Sequence, residues 1–168
     1  YGEDAFCLAY EESCGYVVKS SYCDKDGIYA TKLLCEIAEQ FKVQNKTLID
    51  YLDDIYESVG YTCSLSDCVM FSGANSKQKL NETVENLRKN PLKSVNNYKI
   101  TEIIDYFYDN TGLPKQNFLE YKAGNLKFIL RPSGTEPKFK IYLFLKEDKS
   151  IAIDKAKEIM NEIKELLK

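Results

Sequence analysis

The sequence predicts a compact α+β unit from about residue 61 onward, preceded by a region of short extended segments and two helices. Two helical patterns follow each other between residues 24 and 59, whereas helical and alternating patterns are interleaved from residue 61 onward. We therefore divide the chain into residues 1–60 and 61–168.

The first region begins with extended segments. In residues 6–10 the large apolar side chains Phe6, Leu8 and Tyr10 stand at every second position, residues 11–15 break the run, and residues 16–18 resume it. Alternation with a period of two is typical of a strand. We expect a short strand, a turn and a second extended segment.

Two helices are expected next. Residues 24–41 repeat apolar side chains at three-to-four spacing, with Asp24 as the expected N-cap. Residues 47–59 begin with a capping-box pattern, and Gly60 follows as a stop signal. We expect the apolar stripes of both helices, including Cys35 of the first, to be buried. The stripe of the second helix comprises Leu48, Leu52, Ile55, Tyr56 and Val59.

The second region combines strands and helices. Strands are expected at residues 62–71, 126–130 and 138–145, and residues 95–107 are mainly extended. A helix capped by Ser76 is expected between the first two of these segments. The last element is an amphipathic helix, and its inward side chains are expected to be Ala152, Ala156, Ile159, Met160, Ile163 and Leu166.

Composition excludes several classes of protein. The 168 residues are 44% hydrophobic and 29% charged, which is typical of a soluble globular protein. A net charge of -3 argues against a general nucleic-acid or membrane surface, so we expect neither partner. The chain contains no histidine, which excludes Ser-His-Asp catalysis, Cys-His catalysis and histidine metal sites.

The cysteines bear on the cellular location of the protein, and the first residue bears on whether the sequence is a piece of a longer one. Six cysteines without a C-x-x-C pair leave a disulfide framework formally open, but we expect reduced thiols in a cytoplasmic protein. No signal-peptide pattern is found. The first residue is Tyr1 rather than methionine. We therefore expect a piece of a longer protein.

The segment with the most specific chemistry is 131–138, which reads RPSGTEPK between two expected strands. Arg131 supplies a planar fork for a phosphate, and Ser133 and Thr135 supply hydroxyl donors. Gly134 permits a positive φ and a close approach of the ligand. On composition alone, the segment is equally well an ordinary polar turn.

Two further segments lie in the first region. Residues 9–16 read AYEESCGY, in which Glu11 and Ser13 form an acceptor and donor pair suited to a vicinal diol. Residues 24–27 read DKDG and lead into the first helix. Taken singly, the first segment is also a solvated acidic turn and the second a helix cap.

Together, in this order and with the Leu-Pro pair at 113–114, these segments resemble the α-D-phosphohexomutases, the phosphoglucomutase/phosphomannomutase family. The resemblance covers essentially the whole chain. It implies that residues 1–60 are the α/β tail of the family's third domain. It also implies that residues 61–168 are its α+β fourth domain, an antiparallel sheet with helices packed on one face, which acts as a mobile lid over a cleft.

The resemblance also implies roles for particular residues. Arg131, Ser133, Gly134 and Thr135 are expected to bind the non-reacting phosphate of the substrate. The residues expected to bind the sugar are Glu11, Ser13 and Lys25. The intact enzyme would interconvert hexose 1-phosphate and hexose 6-phosphate through a glucose 1,6-bisphosphate-type intermediate, with this chain as its C-terminal substrate-binding part.

Departures from the family pattern are informative. Ala9 and Cys14 replace residues that are commonly glycine, or in the second case also aromatic, and neither change removes a hydrogen-bonding side chain. The family's Ser-His-Asn phosphoserine loop and its Asp-x-Asp-x-Asp magnesium ligands do not occur here. We therefore expect Mg²⁺ and catalysis to depend on the remaining N-terminal domains of the same protein, and the chain alone to be inactive.

Three alternatives remain open. A phosphomannomutase or a phosphoglucosamine mutase would carry the same motifs. A non-catalytic phosphosugar-binding module would need neither the phosphoserine nor the metal ligands.

Overall fold

The chain divides into two compact units, Tyr1–Ser58 and Val59–Lys168. The computed structural model describes residues 6–11, 14–18, 24–109 and 111–167. The elements of the first region are β1 (Ala9–Glu11), β2 (Gly15–Val17), α1 (Gly27–Val43) and α2 (Leu48–Val59). Those of the second are β3 (Thr62–Met70), α3 (Ser76–Lys89), β4 (Ser94–Val95), β5 (Tyr98–Lys99), β6 (Glu102–Asp105), β7 (Leu119–Ala123), β8 (Leu126–Pro132), β9 (Lys138–Lys146) and α4 (Lys149–Leu166).

Local hydrogen bonds decide where the helices of the first unit begin. The predicted capping box is confirmed, because the Thr47 N–H donates to the Asp50 carboxylate at 2.7 Å and the Asp50 N–H donates to the Thr47 hydroxyl at 3.1 Å. The prediction of Asp24 as the cap of α1 is wrong. Asp26 is the cap, and its carboxylate accepts from the Tyr29 N–H at 2.9 Å.

The predicted burial of the two helical stripes is wrong. Cys35 is exposed, and Ala30 is the buried residue of α1. No residue of α2 is buried, and Leu52 is 43% exposed. An amphipathic period identifies the face of a helix that can pack, but it does not supply the surface against which it packs.

The second unit contains a five-stranded antiparallel sheet in the order β3-β9-β8-β7-β6. Sequence analysis missed β7, whose five residues include Glu120 and Lys122. The sequence signal that could have identified β7 is the two-residue connection between it and β8, Gly124 and Asn125, because such short connections join the strands of a hairpin. Gly124 has a φ of +62°, which favours glycine.

The core lies on one face of this sheet. Phe139, Ile141, Leu143 and Leu145 alternate along β9 and are at most 1% exposed. Their buried partners from α3 are Leu80, Val84 and Leu87, and those from α4 are Ala152, Ala156, Ile159, Met160 and Ile163. Helices therefore pack on one face of an antiparallel sheet, which confirms the predicted α+β fold class.

Smaller predictions fail at the ends of elements. Leu166 is 48% exposed, whereas the next residue, Leu167, is 1% exposed. Asn75 rather than Ser76 occupies the cap position of α3 and makes no side-chain capping bond. The extended stretch 95–107 is divided among β4, β5 and β6 by short turns.

Arg88 fixes the segment that precedes β7. Its side chain, 11% exposed, donates from Nε to Asp105 at 2.8 Å and from a terminal nitrogen to Asn117 at 2.7 Å. The rings of Phe107 and Tyr108 lie 5.4 and 5.3 Å from the guanidinium carbon. A charge this enclosed is stable only when it is paired, so these contacts tie α3 to the end of β6.

Two further properties of the described residues concern their cysteines and the apolarity of their helices. Cys14, Cys35, Cys63 and Cys68 are free thiols. Within the described ranges, no helix combines the length and the apolarity that crossing a bilayer requires.

The start of α4 makes stability depend on pH. The Asp148 carboxylate accepts from the Ser150 hydroxyl at 2.5 Å and from its N–H at 2.8 Å, and these bonds lower the pKa of Asp148. A lowered folded-state pKa contributes stability above the unfolded pKa, and this contribution is lost as the pH falls through the folded pKa. We expect Asp148→Asn to lower the melting temperature near neutral pH and to have little effect at a pH below the folded-state pKa of Asp148.

The matched control is Asp154→Asn on the same helix, because that side chain is 81% exposed and lies 4.0 Å from Lys157. The control should change the melting temperature less than Asp148→Asn near neutral pH. An Asp148→Asn effect of equal size at both pH values would contradict the charge-based argument.

Candidate functional site

The β8–β9 connection forms a closed hairpin loop. The Ser133 N–H donates to the Lys138 carbonyl at 2.8 Å, and the Lys138 N–H donates to the Glu136 carbonyl at 2.8 Å. Paired backbone groups at both ends restrict the conformations of residues 133–138. The loop is therefore a defined structure even though much of it is exposed.

The two hydroxyls of the loop lie together. Ser133 Oγ and Thr135 Oγ1 are 3.5 Å apart, and the Glu136 N–H donates to Ser133 Oγ at 3.3 Å. Both hydroxyls can rotate to donate to a common acceptor. The structure thus brings together two of the predicted phosphate donors.

Gly134 lies between Ser133 and Thr135 in the sequence. We expected a glycine here because of a positive φ, and this expectation is wrong. The φ of Gly134 is outside the positive range, so the backbone does not use the freedom we predicted. A Cβ built on Gly134 would meet no atom within 4 Å. The glycine instead leaves open space over the loop, which a side chain would partly fill.

Positive charge collects beside the loop. Arg131 is exposed and lies directly across from Lys140 in the β8–β9 register, so the two side chains share one face of the sheet. The Lys138 ammonium lies 2.5 Å from the Glu136 carboxylate, and this bond raises the pKa of Lys138 and lowers that of Glu136.

Sequence reasoning missed Lys140. The signal was the alternation of β9, which places Lys138 and Lys140 on the face opposite the buried Phe139 and Ile141.

The loop is attached to the core at its far end. The Pro137 carbonyl accepts from the Phe71 N–H at 2.9 Å, just beyond β3. Phe139 is 1% exposed, and its ring centroid lies 6.4 Å from that of Phe71. The hydroxyls therefore sit on a support that is held by two neighbouring strands.

The predicted sugar-binding segment forms a small hairpin in the first unit. In the β1–β2 register, Glu11 lies opposite Gly15, and Cys14 has a φ of +63°. Ser13, predicted to bind the sugar, lies outside the described residues. The structure therefore places Glu11 but not its proposed hydroxyl partner.

Glu11 and Lys25 meet across this hairpin. The Lys25 ammonium donates to Glu11 Oε1, and this hydrogen bond raises the pKa of Lys25. The side chains of Lys25 and Glu11 are 56% and 40% exposed. The Asp26 N–H donates to the Tyr16 carbonyl at 2.8 Å, which fixes the DKDG segment beside β2.

A metal centre is not formed by the described residues, where no group of three or more Cys, Asp or Glu side chains converges. The family resemblance predicts that magnesium is bound by an Asp-x-Asp-x-Asp segment, which does not occur in this sequence. The requirement for magnesium stays a prediction about the longer protein.

Comparison with known proteins points to one family. A family model described as phosphoglucomutase/phosphomannomutase, alpha/beta/alpha domain III, matches residues 2–59. A phosphoglucomutase of Staphylococcus haemolyticus is 34% identical over 158 residues, 86% of this chain, and one of Staphylococcus aureus is 33% identical over 150 residues, 83% of it.

A solved structure supports the fold. Parafusin from Paramecium, titled a phosphoglucomutase in its open form, matches with a TM-score of 0.61 at 21% identity, over 95% of this chain and 30% of its own. The chain spans 28% of the S. haemolyticus relative and 27% of the S. aureus relative.

The matches to phosphoglucomutases extend over most of the sequence, and the fold agrees with them. Residues 2–59 match domain III of the phosphoglucomutase/phosphomannomutase family, and most of the chain is similar to part of the longer phosphoglucomutases.

Proposed function

We propose that the chain is the substrate-recognition part of a phosphoglucomutase that interconverts hexose 1-phosphate and hexose 6-phosphate. The observation that carries the proposal is the β8–β9 loop, where the Ser133 and Thr135 hydroxyls converge beside Arg131. The relatives named phosphoglucomutase support the choice of reaction.

The loop would bind the phosphate that does not react. The Arg131 guanidinium supplies two parallel N–H donors to phosphate oxygens, and the Ser133 and Thr135 hydroxyls supply two more. Lys140 adds positive charge from the neighbouring strand. Gly134 leaves room for the ligand to approach the loop closely.

The first unit would bind the sugar of the substrate. The Glu11 carboxylate accepts hydrogen bonds from sugar hydroxyls, and Lys25 and Ser13 donate to sugar oxygens. Positioning both ends of the substrate lowers the entropic cost of reaching a reactive geometry. The phosphoryl group itself would be transferred by residues of the N-terminal domains.

Magnesium does not fit this chain. The described residues hold no converging carboxylate cluster, and the sequence has no Asp-x-Asp-x-Asp segment. Magnesium binding is therefore proposed for the whole protein and not for this chain. The bisphosphate intermediate and a cytoplasmic location are likewise proposals for the whole protein.

We expect the chain to bind inorganic phosphate with a dissociation constant of about 1 mM, because a few charge-assisted bonds only modestly exceed the cost of association. Arg131→Ala should weaken binding by about tenfold or more. The measurement is a titration that follows the amide resonances of residues 133–135.

The matched control is Lys127→Ala. Lys127 lies on the same strand and face as Arg131, about 13 Å away, and its ammonium lies 4.9 Å from the centroid of the Phe144 ring. Equal weakening in both variants would show general charge attraction rather than a phosphate site.

Substitutions of two glycines in the second unit, Gly134 and Gly124, distinguish an effect on phosphate binding from an effect on folding. Gly134→Ala should leave the free energy of unfolding nearly unchanged, since its Cβ meets no neighbour, but should weaken phosphate binding. Gly124→Ala should retain binding and cost about 1–2 kcal/mol, because its φ is +62°. Urea unfolding and phosphate titration of both variants test this. Unchanged phosphate affinity in Gly134→Ala would remove the ligand from the loop.

We expect the chain alone to show no conversion of glucose 1-phosphate to glucose 6-phosphate, even with added magnesium and glucose 1,6-bisphosphate. Residues that position a substrate cannot turn it over without a phosphoryl donor. A coupled assay measures the product directly. Activity that disappears in Arg131→Ala would show that a nucleophile lies within these residues.

The coding sequence upstream of Tyr1 distinguishes the enzyme from a binding module. A reading frame with the Ser-His-Asn loop and the Asp-x-Asp-x-Asp cluster supports the mutase. A start codon close to Tyr1 supports a non-catalytic phosphosugar-binding module.

A further inference from the structure

Gly15 lies beneath the ion pair between Lys25 and Glu11. A Cβ built on Gly15 would lie 2.6 Å from Lys25 Cδ and 2.7 Å from Glu11 Oε1. Both distances are well inside van der Waals contact, so an alanine at Gly15 would force the Lys25 or the Glu11 side chain to move out of this geometry. Gly15 is buried, although both members of the pair are substantially exposed.

The backbone gives no other reason for a glycine at this position. The φ of Gly15 is not in the positive range, so an L-residue could adopt the same conformation. The requirement comes instead from the Lys25 side chain, which passes over Gly15. Close approach by another group is the second common reason for glycine in a strand.

The backbone at Lys25 is fixed independently of the ion pair. The next residue, Asp26, donates its N–H to the Tyr16 carbonyl of β2 at 2.8 Å, and its carboxylate caps α1. The Lys25 N–H donates to the Asp24 carboxylate at 2.7 Å. These bonds start the Lys25 side chain beside β2, from which it reaches Glu11 across Gly15.

We propose that Gly15 is a positioning residue of the sugar site: its missing side chain lets Lys25 cross β2 and hold the Glu11 carboxylate in one orientation toward a sugar hydroxyl. Gly15 itself would touch no substrate. The inference rests on the proposed function, because that function makes Glu11 a sugar ligand.

The geometry allows Glu11 to serve both partners. An ionised carboxylate has two oxygens and about four lone-pair sites, so it can accept from Lys25 and from a hydroxyl at the same time. Holding a long, exposed side chain in one conformation before the ligand arrives reduces the entropy lost on binding. Lys25 thereby prepares Glu11 for the sugar.

The test compares Gly15→Ala with Gly27→Ala in the whole chain. A Cβ at Gly27 would meet no atom within 4 Å, and Gly27 begins α1, so this control leaves the ion pair intact. The first measurement is the titration of the Lys25 ammonium by NMR without ligand. In Gly15→Ala the Lys25 pKa should fall toward the ordinary lysine value, whereas in Gly27→Ala it should stay where it is in the unsubstituted chain.

The second measurement is the affinity for glucose 6-phosphate relative to inorganic phosphate. Gly15→Ala should reduce this preference several-fold and leave the affinity for inorganic phosphate unchanged. In a Lys25→Met background, the additional effect of Gly15→Ala should vanish, because the two changes act through one interaction. If Gly15→Ala does not fold, Lys25→Met alone should show the same loss of preference.

The outcomes separate the two proposals. An unchanged Lys25 pKa in folded Gly15→Ala, or a full sugar preference in that variant or in Lys25→Met, overturns the role of Gly15. If the unsubstituted chain binds glucose 6-phosphate no better than inorganic phosphate, the proposed sugar-binding function fails instead. The ligand-free Lys25 titration still decides whether Gly15 sets the ion pair.

Discussion

The register between β8 and β9 determines both the core of the second unit and the face on which its candidate phosphate site lies. Leu130 pairs with Ile141 on the face of these strands that is buried and apolar. The next pair, Arg131 and Lys140, lies on the opposite face and gives it positive charge at that position. A shift of one residue would exchange the faces, so that charged side chains would enter the core and the apolar ones would leave it. Burial of the apolar face therefore holds the cationic face in place.

The two units reach their structures by different means. In the second, α3 and α4 cover a sheet whose inward side chains are almost inaccessible to solvent. In the first, the described helices are defined mainly by local bonds such as those of Thr47, Asp50 and Asp26, and their apolar stripes remain largely exposed. Helices of this length gain little stability without tertiary packing. Most of the stability of the described chain therefore resides in the second unit.

Signals that are complete within a few residues could be predicted from the sequence. The Thr47–Asp50 capping box, the alternation of β9 and the inward face of α4 up to Ile163 are of this kind. Each depends on neighbours along the same element. The RPSGTEPK segment was found in the same way, since its chemistry is contained in one loop.

Features that depend on partners elsewhere in the chain could not be predicted. Whether Cys35 or Leu52 is buried depends on a second surface, which periodicity does not specify. Lys140 joins the site because of cross-strand pairing with Arg131. The ion pair of Lys25 with Glu11 crosses fourteen positions of sequence, and only the folded hairpin shows that Gly15 lies beneath it.

The attachment of the β8–β9 loop at both ends restricts how this segment can vary in length. The Ser133–Lys138 bond closes the hairpin, and the bond from Phe71 holds Pro137 to the neighbouring strand. An inserted residue between them would displace one of these bonds or push the extra backbone outward past the hydroxyls. Among homologues that keep this sheet, substitutions should therefore be far better tolerated here than insertions or deletions. The number of residues in the loop is constrained by the fold itself, whatever ligand it binds.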